Sequence, residues 1–367
     1  MFGCSRLSAD ELVLLKKFLH FDARIQALYG VWEANLGSCE ALESYLIFNM
    51  FRDVSNVIPG DRPLPDENSQ IVPDEWFDHR VRADQYLSEE VEALKAYHDK
   101  CLKGGEAAYA ITRRVTDGTA LDDGTMLAND QCFALMSLLA SALDKWPLTR
   151  TGDLTTLLQA FRRLEDGPNK SLIFSDHSLE WKHLPYFSSI WCNDYCQERP
   201  GYIAERYHQF PTRRSYEMAI YLKRQNVWAQ LTAAGFTPIK DAYFIVIWAL
   251  EQKAELDDSL DPSEKTIPEL HIPAAARWIH ALGKRFYQDA VEEKLQDGYR
   301  VSRFPNMVLN YDHMCKDRWA FWEKRFTQFA NGAGGEDELT KKEAKAAFEH
   351  MQAVVKAWEM ENESIAG

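Results

Sequence analysis

In "DRWAFWEKRFTQF", residues 317–329, Trp319, Trp322, Phe326 and Phe329 follow one another at steps of three, four and three. That spacing gathers four large rings on one side of an α-helix but would scatter them over both faces of a strand. It therefore dictates a helix with one buried aromatic face. The period returns near the C-terminus, where Phe348, Met351, Val355 and Trp358 form one apolar stripe behind Thr340-Lys341-Lys342-Glu343, a capping-box spelling. It also returns near the start, where Ser8-Ala9-Asp10-Glu11 spells another box ahead of Leu12, Leu15, Phe18 and Leu19. A chain punctuated in this way folds as packed helices.

The stretches between agree. Ser88 opens a helix through "SEEVEALKAYHDKCL", with Gly104-Gly105 as its end. "NDQCFALMSLLASALDKW" predicts a buried helix stopped at Pro147, and "GDLTTLLQAFRRLE" an amphipathic one stopped by Gly167-Pro168. "YFIVIWAL" is β-branched enough to suit a strand, but it continues into "EQKAEL", which predicts a buried helix turning amphipathic. No βαβ alternation, glycine-rich phosphate loop or fixed-period repeat interrupts the pattern. The expected fold is all-α: a multi-helix globular array around an aromatic-rich core. A length of 367 residues suffices for one large core or two packed lobes. Expected boundaries are N-terminal helices over 1–60, a proline-rich loop over 61–77 and a main helical body over 78–330. A flexible connector over 331–337 and a C-terminal helix over 338–361 complete the single domain.

Composition removes several function classes. A formal charge of −14 argues against a nucleic-acid partner, because phosphate backbones are met by clustered Lys and Arg. Seven cysteines, an odd number without a CxxC spacing, point to free thiols in a reducing compartment. No apolar run reaches the ~18 residues of a membrane span. The opening "MFGCSRLSADELVLL" lacks the basic-then-apolar layout of a secretion signal. The expectation is a soluble cytoplasmic protein that does not engage a membrane.

Three later stretches together resemble a known family: "TTLLQAFRRLED…EWKHLPYF" (155–187), "IWALEQKAELDD…IPAAARWIHALGK" (247–284) and "DRWAFWEKRFTQF" (317–329). Their patterned Trp, Leu and Ala positions resemble the fungal, all-helical domain-of-unknown-function family 3632 over roughly the second half of the chain. The resemblance implies an all-helical intracellular fungal protein. It carries no catalytic motif to transfer.

Candidate chemistry concentrates in three places. Asp257-Asp258-Ser259-Leu260-Asp261 has the DDxxD spelling with which some isoprenoid enzymes hold magnesium and a diphosphate. Asp257, Asp258 and Asp261, with Glu255, offer the carboxylates that this hard cation prefers. Glu251 stands one turn before Glu255 if the helix runs through. Against this, Asp261-Pro262-Ser263-Glu264 spells a helix cap, and "NDYCQERPG" (193–201) supplies Gln197 and Gly201 where a second metal motif needs a hydroxyl and a glutamate. Next, Arg277, His280 and Lys284 share one helical face suited to clamping a diphosphate or carboxylate. The alternative for that face is solvation, or pairing with the many acids elsewhere in the chain. Finally, "WKHLPYFSSIWCNDYCQER" (181–199) mixes rings (Trp181, Tyr186, Phe187, Trp191, Tyr195) with His183, Asp194 and Glu198, the composition of a pocket wall. Cys192 and Cys196 with His183 lack a fourth ligand for zinc. Trp191 and Trp248 are the candidate ligand-facing rings. The expected function is a small-molecule enzyme or binder of fungal specialised metabolism. Its most concrete form is a lyase or cyclase running a Mg2+-assisted reaction on an isoprenoid diphosphate. The rival is a non-catalytic helical scaffold that binds another protein.

Overall fold

The computed structural model describes residues 74–83, 87–117, 128–165, 173–174, 177–178, 180–196, 203, 211–252, 267–294, 308–309, 313–332 and 337–366. By compactness the chain divides into Met1–Pro63 and Leu64–Gly367, and every described residue belongs to the second unit. The expected N-terminal helices with their Ser8 capping box, and the acidic segment with Glu255, Asp257, Asp258 and Asp261, lie outside the described residues.

Described helices, in chain order, are α1 (Asp74–Ala83), α2 (Ser88–His98), α3 (Gly104–Thr116), α4 (Ala128–Lys145), α5 (Thr151–Phe161), α6 (Phe187–Ile190), α7 (Pro211–Ala233), α8 (Lys240–Glu251), α9 (Pro268–Val291), α10 (Lys316–Ala330) and α11 (Glu338–Ala366). Two strands of two residues, β1 (Ile173–Phe174) and β2 (His177–Ser178), pair antiparallel. The fold is all-α. Helix α9 is its centre: it packs on α11, α7, α8 and α10. Ala274, Ala275 and Ala276 bring neighbouring backbones close to it, and all three are fully buried. Trp319, Trp322, Phe326 and Phe329 of α10 are buried as one aromatic face. Trp146, Trp181, Trp191 and Trp278 join Trp322 among the largest enclosed side chains.

Several boundaries differ from the sequence reading, each for a local reason. Helix α1 begins at Asp74, inside the expected 61–77 loop, because Phe77 is core and sits edge-on to Trp76. Helix α2 stops at His98, where Lys100 turns left-handed (φ 62°), and Gly104-Gly105 open α3 instead of ending α2. Pro268 occupies the favoured first turn of α9, so Pro273 lies inside that helix. The cap of α11 is Asp337 in place of Thr340: Asp337 Oδ1 accepts the Thr340 amide at 2.8 Å, and Thr340 itself is buried. Most consequential is α8, which ends at Glu251 with Gln252 extended (ψ 140°). The helix that carries Glu251 therefore does not run on through Gln252.

Candidate functional site

The third sequence cluster becomes an irregular corner. Its chain passes a short 3-10 turn at Trp181–His183, then Leu184 (φ 46°) and Tyr186 (φ 65°), both left-handed, on either side of Pro185. Each such non-glycine residue costs roughly 1–3 kcal/mol, strain that persists only where surroundings enforce it. Helix α6 then widens into a π-helical turn over Trp191–Tyr195. Isolated π-turns concentrate at functional sites.

This turn stacks Trp191 on Tyr195, ring centres 5.2 Å apart and 19° from parallel. Trp191 is fully buried, and its indole N–H has no acceptor among the described residues. The Arg224 guanidinium lies over the outer ring, 5.4 Å from the Tyr195 centre, a cation–π contact. Arg224 Nε donates to Asp144 Oδ1 at 2.7 Å, Lys145 Nζ reaches Asp144 Oδ2 at 3.0 Å, and Lys223 Nζ donates to the Asp144 carbonyl at 2.6 Å. Burial pushes the Asp144 carboxyl up, but Arg224 and Lys145 overcome it and hold the group far below the usual carboxylate range. Cys192 and Cys196 flank the same turn. Burial raises the Cys192 thiol to about 11 and raises Cys196 strongly, so both rest as neutral thiols. His183 is 71% exposed and pairs with Glu180 at 3.2 Å.

The expected cationic face of α9 is spread over two neighbouring helices. Arg277 Nη1 donates to the Leu222 carbonyl on α7 at 2.8 Å. Lys284, 67% exposed, pairs with Glu361 of α11 at 2.8 Å, and His280 meets His350 of α11 with ring centres 4.9 Å apart. Trp248 is half-buried and stacks on Phe244 at 5.8 Å. Trp191 and Trp248 belong to different ring clusters.

Sequence reasoning did not foresee that Glu251 and Asp289 are buried and paired. Glu251 is fully enclosed: Arg318 Nε and Nη2 reach its two oxygens at 2.8 and 2.9 Å, and Trp322 Nε1 donates to Oε1 at 2.7 Å. Arg318 Nη1 also donates to the His313 carbonyl, and the Val308 amide donates to the Glu251 carbonyl at 2.7 Å. Asp289, equally buried, accepts from Tyr243 Oη at 2.5 Å and Arg285 Nε at 3.1 Å. Arg318 lies 67 residues from Glu251 and Tyr243 lies 46 from Asp289, so no local motif signals either, whereas Arg285 stands one turn from Asp289. A carboxylate among β-branched and aromatic residues, as Glu251 is, was the available hint that a buried cation must come from elsewhere. Among the described residues no three His, Cys, Asp or Glu side chains gather as a metal site, and no helix is long and apolar enough to cross a membrane.

An all-α protein built around α9, with one irregular polar and aromatic corner, is the class that fold and site define. The family model described as "Protein of unknown function (DUF3632)" matches residues 135–326, just over half of the chain, and the chain belongs to that family. The matched segment contains the corner, Glu251 and Asp289; α1 to α3 and α11 fall outside it. No curated protein and no solved structure matches the chain.

Proposed function

We propose that the protein is a small-molecule enzyme or binder whose ligand joins an anionic head to an apolar body. A Mg2+-assisted reaction on an isoprenoid diphosphate in specialised metabolism is the most concrete form. The carrying observation is the π-turn, where Tyr195 stacks on Trp191 beneath Arg224, which joins Lys145 on the buried Asp144 carboxylate while Lys223 holds the Asp144 backbone carbonyl. Lys145 keeps about half of its side chain in solvent (48%), where an arriving anion meets it first. Aromatic faces favour an apolar or carbocationic body, and cations favour a phosphate or carboxylate head. The strained corner at Leu184 and Tyr186 supports the reading, since strain of this kind gathers at ligand clamps. In this form Asp257, Asp258 and Asp261, with Glu255, hold the metal, and free thiols suit a cytoplasmic setting.

Thermal unfolding of the full chain tests it, with and without magnesium plus inorganic diphosphate, on wild type, Lys145→Ala and Asp257→Asn/Asp258→Asn. A ligand that binds only the native state raises the midpoint by mass action. The reading expects a rise that needs both additives and is weakened in each variant. No rise at several millimolar of both additives would refute it. A rise that both variants retain would also refute it.

The rival reading is a protein-interaction scaffold. It draws on an open groove of about 440 Å3 between α1 and α2, floored by Phe77, Val81 and Val91 and rimmed by Asp78, Glu92 and Lys95.

A further inference from the structure

Helices α9 and α11 form the most extensive helix pair described, and two histidines meet across it. His280 is exposed and His350 half-buried, with ring centres 4.9 Å apart and planes 49° apart. Gly283, one turn beyond His280, makes the meeting sterically feasible. A Cβ placed there would stand 3.2 Å from His350 Nε2 and 3.3 Å from its Cδ2. The Nε2 edge of His350 therefore faces α9 in the bay that Gly283 leaves open. Neither ring makes a hydrogen bond or ion pair among the described residues, whereas His183, His98 and His271 each do. Partial desolvation where the two helices meet, and for His350 the neighbouring His280, lowers both groups from the ordinary histidine value, favouring the neutral ring, which is the form that ligates a metal.

We propose that His280 and His350 are a two-imidazole clamp for a transition-metal dication of the zinc, nickel or copper class, with water completing the coordination. The spacing fits. A metal–imidazole bond is about 2.0–2.1 Å, and the ring centre lies ~1.1 Å beyond the nitrogen, so two imidazoles at a near-tetrahedral angle have centres ~5 Å apart. The observed centre-to-centre distance of 4.9 Å matches that separation. Imidazole nitrogen selects these borderline metals over magnesium or calcium, which prefer oxygen. Each histidine comes from a different helix, so an occupied clamp would cross-link α9 to α11, which lies outside the segment matched by the family. The site depends on neither the acidic box nor a diphosphate ligand.

The experiment uses the untagged full chain, stripped with chelator and titrated calorimetrically with Ni2+ and separately with Zn2+. Wild type is expected to bind one equivalent more than His280→Gln or His350→Gln, and Mg2+ is expected to give no such event. Gly283→Ala, which crowds His350 while leaving both ligands in place, should weaken that equivalent at least tenfold. His183→Gln, remote and already paired, should keep it. Circular dichroism establishes that each variant retains wild-type helicity. The proposal fails if wild type and the two ligand variants bind the same number of equivalents with the same affinity. It also fails if wild type shows no saturable event up to millimolar metal.

Discussion

Replacing Arg318 by Met removes a guanidinium from full burial while keeping an unbranched side chain of similar reach. Glu251 would then retain Trp322 Nε1 as a donor but lose both bonds from Arg318, and the His313 carbonyl would lose its partner. Breaking a buried pair by deleting one member leaves an uncompensated charge and costs about 3–5 kcal/mol. Domains are stable by roughly 5–15 kcal/mol, so the single change consumes a large part of the total. Glu251→Gln/Arg318→Met leaves no buried charge and should lose clearly less than the two single changes summed, by at least ~1.5 kcal/mol. The loss should also depend on pH. Burial already pushes Glu251 above the ordinary glutamate value against the pull of Arg318 and Trp322, and without Arg318 the group rises further. A carboxyl raised in the folded state contributes stability below its unfolded value and loses it as pH climbs through the folded value. The Arg318→Met deficit should therefore be smallest near about pH 4 and grow toward neutrality. Urea unfolding of wild type, both single variants and the double variant at a series of pH values measures all of this. A loss below ~1 kcal/mol at pH 7, or a deficit flat with pH, would refute the stabilising role of the buried Glu251–Arg318 pair.

Other expectations concern the polar corner and the helix ends. Asp144→Asn should cost about 1.5–3 kcal/mol at pH 7, the worth of hydrogen bonds to a charged partner, as read by urea unfolding. Because Asp144 is depressed in the folded state, that contribution is present above the ordinary carboxylate value and fades only as pH falls through the folded one. The wild-type advantage over Asp144→Asn should therefore shrink in strong acid, and an advantage that grew there would contradict the pairing. Asp337→Ala removes the acceptor for the Thr340 amide and should lose about 1 kcal/mol, with fraying at the start of α11 in hydrogen exchange.

Much of this fold is legible because helical period is a short-range property. The rings of α10 announce a buried face within a dozen residues, and the stripe of α11 announces a half-buried one around Met351 that packs against the core. Boundaries were harder to read wherever the deciding contact is tertiary or the turn has no glycine. Lys100 turns the chain after α2 with no glycine to mark it. Helix α8 stops where Glu251 is captured by a residue 67 positions away, although "EQKAEL" is a good helical spelling in isolation. The corner was half legible. Its rings stood together in "WKHLPYFSSIWCNDYCQER", but Asp144 and Arg224 arrive from distant helices, and nothing adjacent in sequence links them. The α9 face was read as one charged surface. In the structure α7 accepts Arg277, while α11 meets His280 and Lys284.

The arrangement around Glu251 also bears on how such a chain can diverge. One carboxylate holds the end of α8, the first turn of α10 and, through its carbonyl, the backbone at Val308. A lineage that alters Glu251 or Arg318 alone must survive with a buried charge and no partner. A lineage that changes both together, to apolar residues of matching volume, need lose little. The two positions should accordingly be inherited as a unit, exchanged jointly or not at all, and two homologues that differ at one should differ at the other.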